Sequence, residues 1–484
     1  MRRKKEVWFI PEYIPQNTPF MMGIIKFVVQ EWPKLGLGNK VHQYFTWFEK
    51  DLGKMCYVRR EFDAEARYLS GKMLNDPDWA IRAIAGIEKT SKLFFGTARR
   101  FRNLPFRKMS NPQMIAAWRR PMRWHLLSHG VGASVSWHAD ANGERVTKAL
   151  LKIIESRVKA RKLDSEPAVI FSLLSSPTKE SALKKEEKGL LYLAAKKAGR
   201  KQLAAHARKY EWLNYQYKGP AFDFQYFENR FGALKPAQAN RILKEMETRD
   251  IETEKRKKKI LKSLELDSYE LKLIRMAQEM VFIKDFRKEA LYHGTYCYEP
   301  FFREVGRRFS LSLDQVRAMD YWEIVEALKT RKVDVDELNR RLEFVVVFAT
   351  PASLNYYTGN SGKNILKKIT WEKTRQKRSN EFTGTCAYPG KVRGKVRIIN
   401  VPEDMVKMKK GDILVAHNTN PNLVLAMKLA GALVSGAGGL TCHTAIVARE
   451  LRTPSIVGIA GIDKILKDGD RVEVDANRGI VRRI

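Results

Sequence analysis

The sequence predicts a multidomain protein, with a mostly α-helical N-terminal body followed by a C-terminal α/β domain. Long stretches before residue 350 carry apolar residues at the 3.6-residue period of amphipathic helices. Beyond residue 381, short apolar runs alternate with helical patterns, as in α/β domains. The net charge of +36 is also uneven. Residues 381–484 hold 16 basic and 10 acidic residues, which leaves +30 in residues 1–380.

The composition limits the class of protein. Hydrophobic residues make up 44% of the chain, which is typical of a globular protein and not of a disordered one. No run of eighteen apolar residues occurs, and the N-terminus lacks the apolar core of a signal peptide, so we expect a cytoplasmic protein without a membrane partner. The cysteines (Cys56, Cys297, Cys386 and Cys442) have neither zinc-ligand nor disulfide spacing.

The first two predicted regions differ in composition. Residues 1–60 are rich in aromatic side chains and are predicted to pack on the body. Residues 61–350 are predicted to form a basic helical domain, in which Pro121 interrupts one helix. His125 and His129 stand four residues apart, a spacing that can bind a metal. Because no acidic partner accompanies them, we favour two histidines on a packing face and predict no metal site.

Three features of this body bear on function. An aromatic cluster around Trp212 and Tyr215 either lines a ligand pocket or ends a helix against the core, and the sequence leaves both alternatives open. Five adjacent cations at 255–259 cannot share one helix face, because successive residues turn by about 100°. Asp267 is predicted to cap a long helix that extends to about Tyr292.

The C-terminal third begins with a predicted buried strand at 344–348. Residues 351–380 are predicted to be a linker, because the stretch 367–378 is polar and basic. Residues 381–484 are predicted to form the α/β domain, closed by a hairpin over 471–481.

One stretch of this last domain combines several features of an anion site. A short apolar strand at 431–436 is followed by Gly438 and Gly439 and then by a helical pattern with His443 in its first turn. The free amides and the positive dipole end of a helix favour a phosphate and disfavour an imidazolium. His443 should therefore be neutral and nucleophilic near pH 7. The alternative is a glycine turn beside a core histidine.

The ordered pattern Gly-Gly-x-Thr-Cys-His-x-Ala-Ile-x-Ala-Arg-Glu-Leu-x-x-Pro, from Gly438 to Pro454, resembles the swivelling phosphohistidine domain of PEP-utilising enzymes. These include phosphoenolpyruvate synthase, pyruvate phosphate dikinase and rifampicin phosphotransferase. The resemblance implies that His443 is phosphorylated during catalysis and implies a regulatory role for Thr441. The residues that it implies for phosphate binding are Gly438, Gly439, Thr441, Cys442 and Arg449. The chain departs from the family at Gly436 and Ala437, where a polar or acidic residue is usual.

A weaker resemblance covers residues 274–328, which are similar in order to the helical domain that precedes the swivelling domain in these enzymes. It implies an acceptor site to which Arg287 and, loosely, the cluster around Trp212 contribute. An arginine near an acceptor would help to hold phosphoryl charge, whereas an arginine in a surface ion pair is the ordinary alternative.

The sequence shows neither an ATP-grasp domain nor a PEP-binding barrel, and it has no phosphate-binding loop of the Gly-x-x-x-x-Gly-Lys-Ser/Thr type. We therefore expect a phosphotransferase component that depends on a separate ATP-grasp or PEP-binding protein, which would supply ATP with magnesium or PEP. The acceptor would be a small molecule of unknown identity. The alternative hypotheses are a basic RNA- or nucleotide-binding protein with an inert or sensing swivelling domain, and a structural scaffold.

Overall fold

The computed structural model describes residues 6–15, 18–38, 40–50, 52–133, 145–372, 380–419, 423–436, 438–439 and 442–484. The helices of the N-terminal body are α1 (Gly23–Gln30), α2 (Arg59–Asn75), α3 (Pro77–Arg102), α4 (Asn111–Leu126), α5 (Arg145–Ala160), α6 (Pro167–Ser175), α7 (Ala182–Ala195), α8 (Arg200–Tyr210), α9 (Phe224–Gly232), α10 (Pro236–Leu264), α11 (Ser268–Phe309), α12 (Leu313–Arg317), α13 (Tyr321–Thr330), α14 (Val335–Glu343) and α15 (Gly359–Lys368). The helices of the C-terminal domain are α16 (Val424–Leu429), α17 (His443–Leu451) and α18 (Ile462–Ile465).

The strands form two separate sheets. Those of the body are β1 (Val7–Pro15), β2 (Tyr44–Glu49), β3 (Leu52–Val58), β4 (Phe344–Ala349), β5 (Leu354–Thr358) and β6 (Thr370–Trp371). Those of the C-terminal domain are β7 (Glu381–Thr383), β8 (Thr385–Tyr388), β9 (Lys391–Ile398), β10 (Ile413–Ala416), β11 (Ala432–Ser435), β12 (Ser455–Val457), β13 (Arg471–Asp475) and β14 (Ile480–Arg483).

The first sheet joins segments that the sequence suggested were separate. Its order is β5-β4-β2-β3-β1-β6, so strands from the aromatic N-terminal segment pair with strands that follow residue 343. The predicted strand at 344–348 is confirmed as β4. The predicted linker over 351–380 differs from the structure up to residue 372, because β5, α15 and β6 lie in it and β6 pairs with β1. Local periodicity could not show this pairing, since the partners lie more than 300 residues apart in the chain.

The helical core is built on α11, which begins at a capping box between Asp267 and Glu270. This helix was predicted to extend to about Tyr292, but it runs on to Phe309. Its aromatic face packs on α3 and α4; the ring centroids of Trp118 and Tyr298 are 4.8 Å apart. The predicted interruption at Pro121 is also wrong, because α4 continues through this residue to Leu126. In both helices, tertiary packing outweighs the local preference.

The five adjacent cations at 255–259 are distributed around α10, as the period of a helix requires. Lys257 is buried, and its Nζ donates hydrogen bonds to the Ser176 carbonyl at 3.1 Å and to Glu254 at 2.9 Å. The other four cations of residues 255–259 are exposed. The prediction that the five cations do not share one face is confirmed.

The C-terminal domain is an eight-stranded sheet in the order β7-β14-β13-β9-β10-β11-β12-β8. Its central strands β9, β10, β11 and β12 are parallel, and the predicted closing hairpin is present as β13 and β14. The chain passes from β11 to β12 through α17. Because the carboxyl ends of parallel strands meet at one edge of a sheet, the loops after β10 and β11 lie beside the start of α17.

This edge of the domain lies against the body, and we call the contact the domain interface. Ala387 and Ala445 belong to the same buried cluster as Phe171 of α6 and Met280 of α11, and Cys442 packs against it. Lys428 of α16 also forms an ion pair with Glu187 of α7 at 3.5 Å. Among the described residues, we find no helix with both the length and the apolarity needed to cross a bilayer.

Candidate functional site

The candidate site is the N-terminal end of α17. His443 is the first residue of this helix, and Cys442 is its N-cap with extended backbone angles. Gly438 has φ +95°, and a Cβ atom there would lie 2.6 Å from the Cβ of Cys442. The amide of Cys442 donates to the Gly439 carbonyl at 2.9 Å, which closes the turn. The predicted order of strand, glycine turn and helix is confirmed, with the histidine in the first helical turn.

Two threonine hydroxyls fix the His443 ring. Its Nδ1 lies 2.9 Å from Oγ1 of Thr419, the third residue after β10, and Thr419 Oγ1 lies 2.9 Å from Oγ1 of Thr444. The ring is half-buried and is therefore not sealed inside apolar packing. Burial, together with the charge of Lys288, lowers the pKa of His443 to about 3. The imidazole is neutral near pH 7, as predicted, although the main cause is burial and not the helix end that the sequence suggested.

The body contributes β1 and the middle of α11 to this site. His417, which follows β10, lies with its Nε2 3.4 Å from the Pro11 carbonyl of β1 and with its Nδ1 3.7 Å from Asp463. Lys288 of α11 lies 3.8 Å from Glu12 of β1 in an ion pair. The His443 ring therefore lies at the domain interface, close enough to Lys288 for the lysine charge to influence its pKa.

The weaker resemblance linked Arg287 to an acceptor site. This residue directly precedes Lys288 on α11. The guanidinium is buried, and its Nη1 donates to Nδ1 of His129 at 3.1 Å. Its Nε has no hydrogen-bond partner in the part of the chain that the structure describes. Burial lowers the pKa of Arg287, while the nearby Glu12, Tyr217 and Tyr292 act in the opposite direction. Arg287 is therefore not in a surface ion pair.

Burial raises the pKa of the Cys442 thiol beside His443, and the nearby charge of Arg449 acts in the opposite direction. Arg449 follows His443 by six residues, which is about 9 Å along the helix axis. Its Nε donates to the Ala387 carbonyl at 3.4 Å, and its guanidinium lies 5.9 Å from the centre of the Phe171 ring. Both Nη atoms are buried without a partner among the described residues, and burial lowers the pKa of Arg449 to about 10. Thr441, also implied by the resemblance, lies outside the described residues.

Trp212 and Tyr215 lie away from His443. Trp212 is buried, and its Nε1 donates to the Lys209 carbonyl at 3.0 Å, as in the core alternative. Tyr215 lines a cavity of about 490 Å³, where its hydroxyl contacts Glu299 and accepts a hydrogen bond from Arg317 at 2.6 Å. Glu299 is eleven residues along α11 from Lys288, or about 16 Å. Of the three predicted acceptor residues, Arg287 is the nearest in sequence to Lys288, and its hydrogen bond is to His129 of the body.

His125 of α4 and His129, which follows α4, show no metal-binding arrangement among the described residues. His125 is buried and stacks on Phe94 with ring centroids 4.9 Å apart, and burial lowers its pKa to about 3. His129 accepts the hydrogen bond from Arg287. Among the described residues, no three histidine, cysteine or carboxylate side chains form a group that could hold a metal ion.

The sequence interpretation missed the groups that surround the histidine. Thr419 and His417 follow a strand that was predicted, so their place at the carboxyl edge of a parallel sheet was a usable signal. Thr444 is next to the histidine in the sequence and could also have been selected. Lys288 could not be predicted from the sequence, because its approach to His443 depends on how the domain packs on the body.

Comparison with known proteins identifies this domain. Residues 408–479 match the family described as PEP-utilising enzyme, mobile domain. A probable phosphoenolpyruvate synthase of Archaeoglobus fulgidus is 49% identical over 98 residues, which are 20% of this chain and 13% of that protein. The phosphoenolpyruvate synthase of Aeropyrum pernix is 48% identical over 99 residues, 20% of this chain and 12% of that protein. The C-terminal segment is thus similar to the mobile domain of PEP-utilising enzymes over residues 408–479.

The similarity is limited in extent. The phosphoenolpyruvate synthase of Helicobacter pylori is 33% identical over 176 residues, 36% of this chain and 20% of that protein. This chain therefore spans only between about an eighth and a fifth of the length of these relatives. Among solved structures, aconitase X of Thermococcus kodakaraensis matches 22% of this chain and 99% of its own, with 20% identity and a TM-score of 0.18.

Proposed function

We propose that this chain is the carrier and acceptor part of a split phosphotransferase. His443 would receive a phosphoryl group from a separate ATP-grasp or PEP-binding protein and deliver it to an acceptor in the helical body. The observation that carries the proposal is the neutral imidazole at the start of α17, with Nδ1 held by Thr419 at 2.9 Å. The second nitrogen, Nε2, is then the one available to a phosphoryl group.

The chemistry follows from the tautomer. When Nδ1 carries the proton and donates it to Thr419, Nε2 keeps a lone pair that can attack phosphorus. The P–O bond to the donor breaks as the Nε2–P bond forms, and the leaving oxygen takes the electron pair. In the second half, an acceptor oxygen attacks phosphorus, the Nε2–P bond breaks, and the acceptor's proton passes to a base. ATP with magnesium, or PEP, would be bound by the partner protein.

The phosphoryl group would be held by the turn that precedes the helix. The amides at the start of α17 have no partner within the helix and point towards an anion at this end. Gly438, Gly439 and Cys442 are the proposed binding residues closest to the ring in sequence, together with Thr441. Arg449 is the remaining proposed binding residue, and both of its Nη atoms have no hydrogen-bond partner among the described residues.

The acceptor side of the proposal rests on the domain interface. Lys288 is a cation close enough to His443 to influence its pKa, and Arg287 is the residue before it on α11. Cations there would offset phosphoryl charge during transfer. Movement of the domain away from this interface would expose His443 to the phosphate donor.

The test is a phosphohistidine assay. The purified chain is incubated with labelled ATP or PEP and candidate ATP-grasp or PEP-binding proteins, and acid-labile, base-stable label on the chain is measured. We expect label on the wild type, none on His443→Ala, and wild-type label on His42→Ala, since His42 is exposed and has no contact with the site. Label that persists in His443→Ala, or its absence from every mixture, would overturn the proposal.

A further inference from the structure

The hairpin formed by α3 and α4 carries an unusual concentration of positive charge. Residues 89–133 include ten basic residues and no acidic one. Seven of the ten are arginines, and six of these are exposed. We call these six the basic face: Arg99, Arg100, Arg107, Arg119, Arg120 and Arg123.

The six arginines lie on the exposed surfaces of α3, α4 and the loop between them, with Arg99 at the edge near His293 of α11 and Arg119 within hydrogen-bond reach of Tyr321 of α13. Both helices pack on α11 through aromatic rings, with Phe101 and Trp118 lying 5.3 Å and 4.6 Å from Phe301. The exposed stripes of α3 and α4 therefore point away from α11. The loop between the helices is also fixed, because Arg308 donates to the Phe106 and Met109 carbonyls at 3.1 Å and 2.6 Å.

The charge of the basic face is not neutralised by the protein. None of its six arginines forms an ion pair with a carboxylate within the described ranges of the chain. Cations elsewhere in the body do: Lys184 and Lys188 both bind Asp250, at 2.8 Å and 2.9 Å. The positive potential of the hairpin thus remains available to an external anion.

We propose that the basic face binds the phosphate backbone of double-helical nucleic acid without reading its sequence. Arginine forks match phosphate oxygens, and α4 alone extends about 18 Å from its start to Arg123. A duplex of that length presents about ten phosphate charges. This binding would be a property separate from the carrier chemistry of His443.

The surface chemistry favours a duplex over other polyanions. Proteins that bind single strands offer exposed aromatic rings on which bases stack, whereas Phe94, Phe101 and Trp118 of this hairpin are buried. A membrane-binding face needs a band of exposed apolar side chains. Here Leu93 and Leu104 are the large exposed ones, at 38% and 37%.

The test measures binding of the full chain to a labelled 24-base-pair RNA duplex, to the DNA duplex of the same sequence, to a single strand and to anionic lipid vesicles. Salt is varied from 50 to 200 mM. If about four phosphates are contacted, log Kd should change with log salt with a slope of about 4. The two duplexes distinguish RNA from DNA as the natural source of the backbone.

Two variants with the same loss of charge are compared. In the first, Arg99→Gln, Arg100→Gln, Arg107→Gln and Arg120→Gln are combined; in the control, Lys255→Gln, Lys258→Gln, Lys259→Gln and Lys262→Gln are combined on the exposed side of α10. We expect the first to bind duplex at least about 30-fold more weakly at 100 mM salt with a much shallower slope. The control should stay within about threefold of wild type.

Several outcomes would overturn the proposal. They are equal losses in the two variants, no duplex binding by wild type at 50 mM salt, tighter binding to the single strand, or vesicle binding that the first variant alone loses. Thermal unfolding at the wild-type temperature shows that the first variant is folded. Its His443 phosphorylation should be unchanged, so failure of this proposal and failure of the carrier proposal are distinguishable.

Discussion

The two sides of the domain interface are built in different ways. On the domain side, Thr419 contacts His443 and Thr444 across only 24 and 25 residues of chain. On the body side, Arg287 contacts His129 across 158 residues of chain, and the contact between Pro11 of the body and His417 of the domain spans 406 residues. The domain side is therefore assembled by local chain order, whereas the body side depends on the complete tertiary fold.

Because the two sides are built in different ways, we expect substitutions on them to have different effects. A change on the domain side alters the position or tautomer of the imidazole, so it should affect phosphorylation directly. A change on the body side alters how the domain is held, so it should affect docking and transfer while leaving the imidazole able to react.

Gly438→Ala should give the largest change. The new Cβ would lie 2.6 Å from the Cβ of Cys442, in a backbone with φ +95° that side chains rarely adopt. The turn would have to move and carry the start of α17 with it, and misplacement of a reacting group by about 1 Å can cost about 100-fold in rate. We expect phosphorylation of His443 to slow by about that factor in the labelling assay.

A matched control separates displacement of the turn from backbone strain. Gly469 has φ +93°, but nothing lies within 4 Å of the position where its Cβ would be. Gly469→Ala should therefore cost some stability and leave the phosphorylation rate close to wild type. Equal phosphorylation rates for Gly438→Ala and Gly469→Ala would contradict the view that the glycine turn positions His443.

Thr419→Val should give an intermediate effect. Valine keeps the shape but removes the hydroxyl that holds Nδ1 of His443 at 2.9 Å. A hydrogen bond contributes about 1 kcal/mol, so we expect phosphorylation to slow by about fivefold to tenfold. Nitrogen NMR should show the ring shifting from one tautomer towards a mixture, and Thr419→Ser should restore both rate and spectrum. A wild-type spectrum in Thr419→Val would mean that Thr419 does not set the tautomer.

The same contrast explains what could be predicted from the sequence. The strand, the glycine turn and the histidine at the start of α17 are contiguous, and their order alone indicated the site. Strand β4 was also predicted, from five consecutive apolar residues. The pairing of β6 with β1 and the continuation of α11 through Pro300 could not be predicted, because contacts between distant segments decide them.

For the roles of individual residues, too, local features could be predicted and contacts between distant segments could not. The neutral state of His443 was predicted, but the largest cause, burial at the domain interface, was not. The resemblance implied a role in phosphate binding for Arg449, but the motif could not indicate that its Nε donates to the Ala387 carbonyl. A motif fixes which residues are close in sequence; the direction of a long side chain depends on its neighbours in space.

On the body side, we expect a smaller effect: docking of the domain on the body should depend on pH. Glu289 of α11 accepts a hydrogen bond from the Ala182 amide at 2.6 Å. Burial and the charges of Asp285 and Glu450 raise its pKa to about 7, and burial raises that of Asp285 to about 6. These groups favour the docked state when protonated. That contribution is complete below their ordinary pKa values of 3.8 for Asp285 and 4.5 for Glu289, and it is lost as pH rises through about 6 and about 7.

His443 does not contribute to this change, since its pKa of about 3 keeps it neutral throughout. We expect the radius of gyration from small-angle X-ray scattering to increase by a few per cent between pH 5 and pH 8, as the domain leaves the body more often. Glu289→Gln should reduce this pH dependence, because the amide cannot ionise, whereas Glu247→Gln on the exposed face of α10 should retain it. An increase in radius towards low pH would mean that the carboxylates at the interface do not control docking. Phosphorylation of His443 in Glu289→Gln at a fixed pH should match wild type, because the tautomer is set by Thr419 within the domain.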